Sequence, residues 1–414
     1  MKKFSILLII TAFFAVSCEN EIEPKQPDLN PEPAQHIDMP VALAPRIAQG
    51  NEFAFDLFYN ILQTTNKKNV FISPLSVDFA LGMTLNGANS VTEQEMKNVL
   101  RHSGLTDTQI NEYYQLMLNA LPSIDQTTKL NIANSIWCRK DFPFHQSFLD
   151  INAKYFDAEI NNLDFASPTA LKTINDWCAK KTNDLIKEPL DEIPPNAVMY
   201  LINAIYFKGI WITQFEKKNT AKAIFYAENG VQKQVDMMHI PEGAFPYYAD
   251  ANAQYLDMGY GNGAFSMTLI LPYNGKTLQN VIDNLSPDYF NDIVENRLDS
   301  INLKVFLPRF KTEYKTDLKD VLIAMGMPSA FDPYGTADFS GMSDAYLYIN
   351  RVIHSTFVEV NEEGTEAAAV TIVEMMEKSM GGGLPVFRAD KPFLFVIREN
   401  STGAVLFMGK MGEI

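Results

Sequence analysis

The segment from Asn361 to Met380 constrains the fold most, because its sequence suits two different structures. Read with a period of two from Thr365, one face carries no charge and consists of Thr365, Ala367, Ala369, Thr371, Val373 and Met375. The opposite face consists of Glu366, Ala368, Val370, Ile372, Glu374 and Met376. This alternation predicts a strand with one buried face. The flanks, Glu362-Glu363-Gly364 before it and Gly381 to Gly383 after it, are typical of an exposed, protease-accessible loop. The segment is therefore predicted to exist both as a loop and as a strand.

Motifs around this segment follow one order along the chain. E-E-G-T-E-A-A-A begins at Glu362, and F-R-A-D-K-P-F-L-F-V-I and F-M-G-K follow it near the C-terminus. Residues 69–76 have the pattern N-x-F-x-S-P-x-S, residues 203–211 have N-x-x-x-F-K-G-x-W, and residues 337–342 read A-D-F-S-G-M. With these motifs the chain resembles the serpins from about residue 45 to residue 414. The resemblance implies an α+β fold with a large mixed β-sheet A, two smaller sheets, about eight to nine helices and an exposed reactive-centre loop at about residues 362–386.

The resemblance also implies roles for particular residues. The hinge, which would enter the sheet first, is Glu362, Gly364, Thr365, Glu366, Ala367, Ala368 and Ala369. A cluster that controls the opening of the sheet is Ser73, Ser76, Asn203 and His354. The residues at the point where the loop enters the sheet are Trp211, Arg309 and Glu362. The opposite charges of Arg309 and Glu362 predict an ion pair, and arginine offers a bidentate one.

In this family a serine protease attacks the loop, forms an acyl-enzyme and is trapped in a covalent 1:1 complex when the cleaved loop inserts into the main sheet. Counting the family's seventeen residues from Glu362 places the reactive bond between Lys378 and Ser379. A lysine there fits the acidic primary pocket of a trypsin-like protease. A shifted register would instead present Met375, Met376 or Met380 to elastase-like or chymotrypsin-like enzymes. The alternative function is that of a non-inhibitory serpin acting as a carrier or binding module.

The small, uncharged hinge residues favour the inhibitor. Thr365, Ala367 and Ala369 offer no bulk or charge to the sheet interior, and Thr365 tolerates burial if its hydroxyl finds a partner. A register error of one residue would drive Glu366 and Glu374 into the core, which costs several kcal/mol. The hinge composition therefore predicts insertion in one register.

The sequence gives no sign of an enzyme, a metal site or a cofactor. It contains no G-x-S-x-G, H-E-x-x-H or C-x-x-C motif, and its five histidines lack metal-ligand spacing. Gly275-Lys276-Thr277 follows a predicted strand and is expected to form a hairpin turn. The net charge of −16 disfavours nucleic acid and anionic lipid as partners. We expect a monomer.

The N-terminus predicts export. Residues 1–17 have two lysines followed by an apolar run, as in a signal peptide. Ala15-Val16-Ser17-Cys18 resembles a bacterial lipobox, in which Cys18 is acylated. Residues 18–44, rich in Pro, Glu, Asp, Asn and Gln, are predicted to be a disordered tether before a serpin domain at 45–414. The expected location is the outer membrane or cell surface, the periplasmic or outward direction being open, and the alternative is simple secretion.

Three further predictions concern the cysteines, one helix without basic residues and the starts of helices. The cysteines of the body, Cys138 and Cys178, are expected to be free buried thiols, although pairing stays open. The predicted helix at 106–121 contains no Lys or Arg, so no heparin-type activator is expected to bind through it. Helix starts are predicted at Ser73-Pro74, at Ser167-Pro168 and, through a capping box, at Thr92 with Glu95.

Overall fold

The computed structural model describes residues 32–102, 104–365 and 383–414. Its α-helices are α1 (Pro45–Thr64), α2 (Pro74–Leu85), α3 (Ser90–Val99), α4 (Asp107–Ala120), α5 (Gln146–Phe156), α6 (Ala170–Lys181), α7 (Leu278–Ile282), α8 (Pro287–Asp292) and α9 (Lys319–Met325). Its strands are β1 (Val70–Ile72), β2 (Lys129–Arg139), β3 (Glu159–Leu163), β4 (Met199–Ile210), β5 (Ala221–Tyr226), β6 (Gln232–Ala249), β7 (Ala253–Tyr260), β8 (Phe265–Pro272), β9 (Asp299–Pro308), β10 (Phe310–Asp317), β11 (Ile353–Val360), β12 (Gly364–Thr365), β13 (Val386–Arg388), β14 (Phe393–Glu399) and β15 (Val405–Met411). The α+β prediction is confirmed.

Two hydrogen-bonded sheets organise the fold. A nine-stranded sheet has the order β1-β15-β14-β8-β7-β6-β9-β13, with β5 also on β6. A six-stranded sheet has the order β10-β11-β12-β4-β2-β3. The resemblance counted three sheets, but the long strand β6 pairs in turn with β5, β9 and β7 and so joins what would be separate sheets into one.

The short strand β12 decides where the functional site lies. It sits between β11 and β4 and is antiparallel to both. Thr365 lies opposite Val360 of β11 on one side and opposite Gly209 of β4 on the other. The hinge thus begins inside the six-stranded sheet, directly before residues 366–382, which lie outside the described part of the chain.

The main core lies between the sheets and is rich in phenylalanine. Phe71 of β1 stacks on Phe407 of β15 with ring centroids 5.3 Å apart, and Phe407 also contacts Phe207 of β4 at 6.1 Å. Their neighbours in the sequence, such as Ile72 and Leu406, are buried too, so these strands are covered on both faces. Phe207 therefore ties β4, one neighbour of the hinge, to the centre of the protein.

A second apolar cluster lies under α6. Its buried members are Trp137, Ile174, Trp177, Cys178, Leu190 and Ala204. Ile174, Trp177 and Cys178 follow a helical spacing, so one face of α6 covers β2 and β4. The prediction of free thiols is confirmed, since both Cys138 and Cys178 are buried and unpaired. Cys138 belongs to the main core whereas its neighbour Trp137 faces α6, because successive strand residues point to opposite faces.

Three predictions of local structure were wrong. Thr92 does not cap a helix, because α3 begins at Ser90 and the Thr92 hydroxyl contacts that of Ser329 at 3.1 Å. The helix predicted from Ser167-Pro168 begins at Ala170 after Thr169. Thr277 does not lie in a hairpin, because its side chain accepts a hydrogen bond from Asn280 and caps α7. In the last two cases a nearby side chain accepts from the backbone, Ser167 Oγ from the Thr169 amide and Thr277 Oγ1 from the Asn280 amide, whereas Thr92 is engaged by a residue distant in sequence.

The predicted tether at 18–44 also needs correction at its C-terminal end. Ile37 and Leu43 are buried, and the Ile37 amide donates to Ser401 Oγ at 3.0 Å. Scattered apolar residues in a polar segment thus sufficed to hold it against α1 and the turn before β15. The predicted domain start at residue 45 coincides with the first residue of α1. No helix within the described ranges is long and apolar enough to span a bilayer.

Candidate functional site

The hinge begins with a four-residue turn, Asn361 to Gly364, that reverses the chain from β11 into β12. The Asn361 amide donates to the Gly364 carbonyl at 2.9 Å. The amides of Glu363 and Gly364 both donate to Asn361 Oδ1, at 3.0 and 3.3 Å. Asparagine favours such turns because its side chain can accept bonds from the amides that follow it. Gly364 has no substitute here, since a Cβ would lie 2.0 Å from the Gly209 carbonyl oxygen.

Thr365 is the first hinge side chain in the sheet interior. It is 3% exposed, and its hydroxyl lies 2.7 Å from that of Tyr260 at the end of β7. Burial raises the pKa of Tyr260, so the phenol stays protonated and can donate. The Tyr260 ring stacks on Trp211 with centroids 4.4 Å apart. The partner that a buried Thr365 hydroxyl requires is therefore present.

Residues 211–220, which follow β4, bind the outside of the turn and are here called the clasp. Trp211 Nε1 donates to the Asn361 carbonyl at 3.0 Å, and the Trp211 amide donates to the Glu363 carbonyl at 2.8 Å. The Phe215 amide donates to the Glu362 carbonyl at 2.9 Å. Each carbonyl of residues 361–363 thus has a donor from the clasp, which satisfies a buried backbone that no strand ladder covers.

Two carboxylates of the turn are also paired. Arg309 holds Glu362 with two hydrogen bonds, Nε to Oε2 at 2.7 Å and Nη2 to Oε1, and the Thr220 hydroxyl donates to Oε1 at 2.6 Å. Burial would raise the pKa of Glu362, but the bonds from Arg309 and Thr220 outweigh it and lower the pKa. Lys217 Nζ contacts Glu363 Oε1 at 2.8 Å. The Glu362 carboxylate is therefore kept ionised, and each of the two carboxylates lies beside a cation.

The predicted control cluster is only partly assembled. The Ser73 amide donates to His354 Nε2 at 3.0 Å, the Ser76 amide donates to Ser73 Oγ at 3.2 Å, and Ser73 Oγ donates to the Leu406 carbonyl at 2.8 Å. These bonds connect the start of α2 with β11 and β15. Burial lowers the pKa of His354 to about 4, so its Nε2 is an unprotonated acceptor.

Asn203, the fourth predicted member, has a different partner. Its Nδ2 donates to Asn134 Oδ1 of β2 at 2.9 Å. Its Oδ1 is buried and has no hydrogen-bond partner among the described residues. Asn203 therefore binds β4 to β2 and does not take part in the Ser73–His354 contact.

Several predicted residues lie outside the described residues. These are Cys18, Glu366, Ala367, Ala368, Ala369, Met375, Met376, Lys378, Ser379 and Met380. Sequence reasoning missed the roles of Tyr260, Lys217, Thr220 and the Asn361 side chain. For Lys217 and Thr220 the signal was the polar and aromatic content after K-G-x-W, which does not reveal which strand that segment will face. Within the described ranges no group of three or more His, Cys, Asp or Glu side chains could hold a metal.

The fold and site define a class: an α+β protein in which a two-residue strand, β12, lies between two longer strands of one sheet. The serpin (serine protease inhibitor) family model matches residues 48–414. The chain therefore belongs to the serpin family.

Known relatives are similar in sequence to most of the chain. An uncharacterized serpin-like protein of Methanosarcina acetivorans is 34% identical, covering 99% of this chain and 96% of the relative. Serpin B6 of Macaca fascicularis is 38% identical, covering 86% and 96%. The leukocyte elastase inhibitor of Xenopus tropicalis is 37% identical, covering 86% and 96%.

Solved structures confirm the serpin fold. The native-state structure of the thermophilic serpin Tengpin superposes with a TM-score of 0.82 and 32% identity, covering 94% of this chain and 99% of Tengpin. Human thyroxine-binding globulin in complex with thyroxine has a TM-score of 0.80 and 26% identity, covering 90% of this chain and 99% of the globulin. The family thus consists mostly of protease inhibitors, with binding proteins among its members.

Proposed function

We propose that this serpin inhibits serine proteases, with a preference for trypsin-like enzymes, by inserting its cleaved loop between β11 and β4. The observation that carries this proposal is β12, because Gly364 already pairs with β4 and Thr365 with both β4 and β11. Adding a strand at this position would satisfy the facing edges of β4 and β11 with main-chain hydrogen bonds.

The register of β12 predicts where the following residues would lie. Thr365 is opposite Gly209 and Val360, so in the same register Ala367 would lie between Phe207 and Val358. Ala369 would lie between Ile205 and Thr356. All four neighbours are buried, and Phe207 fills the space at its position with an aromatic ring. Alanine fits there without displacing core side chains, which accounts for the small residues of the hinge.

The opposite face of the inserted strand would meet the cluster under α6. In the same register Val370 would lie beside Ala204, and Ile372 between Ile202 and Ile353, which belong to or pack against that cluster. The apolar middle of the face that carries Glu366 and Glu374 at its ends would thus meet apolar side chains of that cluster. The burial of two further apolar side chains would favour the inserted state.

Thr371 would reach the control cluster. In the same register it lies between Asn203 and His354. Its hydroxyl could donate to Asn203 Oδ1, the acceptor that has no partner among the described residues. Insertion would thus satisfy a buried polar atom as well as bury apolar surface.

The chemistry belongs to the target protease. Its serine would attack the carbonyl carbon of Lys378, the bond to the Ser379 nitrogen would break, and the Lys378 acyl group would remain as an ester on the enzyme. Residues 364–378 inserted as a strand at roughly 3.3 Å each would span about 50 Å, enough to carry the attached enzyme across the domain. The ester survives if insertion is faster than its hydrolysis.

A denaturing gel tests the proposal. Full-length protein is mixed with trypsin and, separately, with elastase at equal concentrations. A band at the summed mass with trypsin supports the trypsin preference, and a stronger one with elastase moves the reactive bond to Met375, Met376 or Met380. Complete cleavage of the loop by both enzymes without any such band supports the alternative function of a carrier or binding serpin. The likeness to thyroxine-binding globulin is the observation that favours this alternative.

The same proposal includes the setting of the protein. The chain is exported, acylated at Cys18 and held at the outer membrane or cell surface, where it meets proteases as a monomer. It needs no heparin-type activator at α4, because residues 107–120 contain neither lysine nor arginine. Labelling with a radioactive fatty acid, lost in Cys18→Ser, tests the anchor.

A further inference from the structure

We propose that Asn361 is a positioning residue for loop insertion: its side chain holds the turn 361–364 in its final form before the loop is cut. Insertion then starts from a finished turn and only has to extend β12. This inference rests on the proposed function, since it concerns the rate of the same insertion.

The turn is closed by three contacts within itself. Asn361 Oδ1 accepts from the amides of Glu363 and Gly364, and the Asn361 amide donates to the Gly364 carbonyl. One side-chain oxygen therefore fixes two of the backbone groups that define the reversal. Removing this oxygen takes an acceptor from both amides, and residues 362–364 gain conformational freedom.

The clasp fixes the same turn from outside. Trp211 and Phe215 donate to the carbonyls of residues 361–363, and Lys217 contacts the carboxylate of Glu363. These contacts involve only residues before β12. They are compatible with the register of β12 against β11 and β4, so β12 can be extended beyond Thr365 without breaking them. The turn before cleavage and the turn after insertion are the same turn.

This arrangement determines which step of insertion is costly. Forming a reversal orders several backbone dihedrals before any ladder bond is gained, whereas each later residue adds bonds on two sides. A turn that is already formed removes that first cost from the barrier. The hydrogen bonds of Asn361 therefore act on the insertion rate and leave the initial attack by the protease unchanged.

Whether removal of the Asn361 side chain raises or lowers the efficiency of trapping distinguishes this role from a merely structural one. If Asn361 only stabilised the intact protein, its removal would lower the barrier to insertion, and trapping would be unchanged or more efficient. If it pre-forms the turn, its removal slows insertion, and more of the inhibitor is hydrolysed before the trap closes.

The test uses Asn361→Ala with Asn361→Asp as the matched control, because aspartate keeps an oxygen at the Oδ1 position. The measured quantity is the number of inhibitor molecules consumed per trapped trypsin molecule, minus one, and is called the excess. We expect this excess to rise about tenfold in Asn361→Ala, because the variant loses hydrogen bonds of ordinary strength. The association rate, corrected for that excess, should stay within twofold. Asn361→Asp should behave like the wild type. An unchanged or smaller excess in Asn361→Ala, at equal melting temperature, overturns the inference.

A second measurement separates failure of the inference from failure of the proposed function. Thermolysin, a metalloprotease that forms no serine ester, is used to cut the loop, and pulsed hydrogen exchange follows protection of the amides of β4 and β11 with time. Slower protection in Asn361→Ala supports the inference, and equal rates contradict it. Wild-type protein that inserts its cut loop but traps no protease contradicts the proposed function alone, whereas wild-type protein that never inserts contradicts both.

Discussion

The hydroxyl groups of Tyr260 and Thr365 lie 2.7 Å apart in the protein interior, so the last residue of β7 fixes the first inward side chain of the hinge. The contact joins the two sheets at the position where the loop would begin to insert. Tyr260 is held in turn by its ring contacts with Trp211 and Phe207. The hinge is therefore anchored by a residue that no hinge motif contains.

Tyr260→Phe should loosen this anchor without disturbing the rings. It leaves the Thr365 hydroxyl buried without its partner, which costs about 1–3 kcal/mol. We expect faster hydrogen exchange at Gly364 and Thr365 and a lower melting temperature of the intact protein. The matched control is Tyr260→Phe with Thr365→Val, which removes both hydroxyls and should recover most of the loss. Unchanged exchange in the single variant would show that the contact carries no stabilisation.

Thr365→Arg should turn the inhibitor into a substrate. The arginine would bring a charge into a position that is 3% exposed, and it would replace the hydroxyl that contacts Tyr260. The loop should still be cut by trypsin at the wild-type rate, but no complex should appear on a denaturing gel. Thr365→Ser, which keeps the hydroxyl, is the control. Trapping by the arginine variant would contradict insertion in this register.

Lys378→Ala should abolish the inhibition of trypsin-like proteases. The acidic primary pocket of those enzymes would lose its cationic partner, so we expect the association rate to fall by at least 100-fold. Lys378→Arg should retain inhibition. Mass spectrometry of the released C-terminal fragment identifies the bond directly, and a fragment that does not begin at Ser379 would place the reactive bond elsewhere.

Acid should destabilise the protein through His354. The folded chain keeps this imidazole neutral down to a pKa of about 4, whereas the unfolded chain protonates it near pH 6.5. The contribution of His354 to the free energy of unfolding is therefore fully present above pH 6.5. It is lost as the pH falls toward 4, by about 3 kcal/mol in total. Urea unfolding at several pH values measures this slope.

His354→Asn isolates the contribution. An amide oxygen can still accept from the Ser73 amide but does not titrate, so the variant should lose about 3 kcal/mol of the acid-dependent change. Part of the slope should remain, because burial lowers the pKa of His102 as well. Equal slopes in variant and wild type would show that His354 is not the responsible group.

Cutting the loop should raise the melting temperature. Insertion adds a strand between β11 and β4 and buries Val370 and Ile372 against the cluster under α6, so the cut protein should be more stable than the intact one. Calorimetry of both forms provides the measurement. Ile372→Glu is expected to reduce the gain by placing a carboxylate in that cluster. A cut protein that melts no higher than the intact one would leave insertion without a driving force.

Much of the fold was readable from the sequence because the motifs are local. Ser73 and Pro74 start α2 as their residue types predict, and residues 129–138 and 197–207 lie within or beside the strands β2 and β4. Local patterns failed where a distant group took the backbone or side chain. The Thr92 hydroxyl contacts that of Ser329, and the Asn203 side chain donates to that of Asn134. Ile37 shows the same effect, since a segment polar enough to be predicted as disordered is held by the turn before β15.

The sequence by itself determined the serpin fold, the small residues of the hinge and the opposite charges of Arg309 and Glu362, because each depends on residue type and spacing. Only the tertiary structure decided that Thr365 meets Tyr260, that residues 211–220 bind the turn and that Asn203 stands apart from His354. Those contacts join residues about 100 or more positions apart or on neighbouring strands. Such pairings depend on strand order and register, and the chain sets these only when all its strands have assembled.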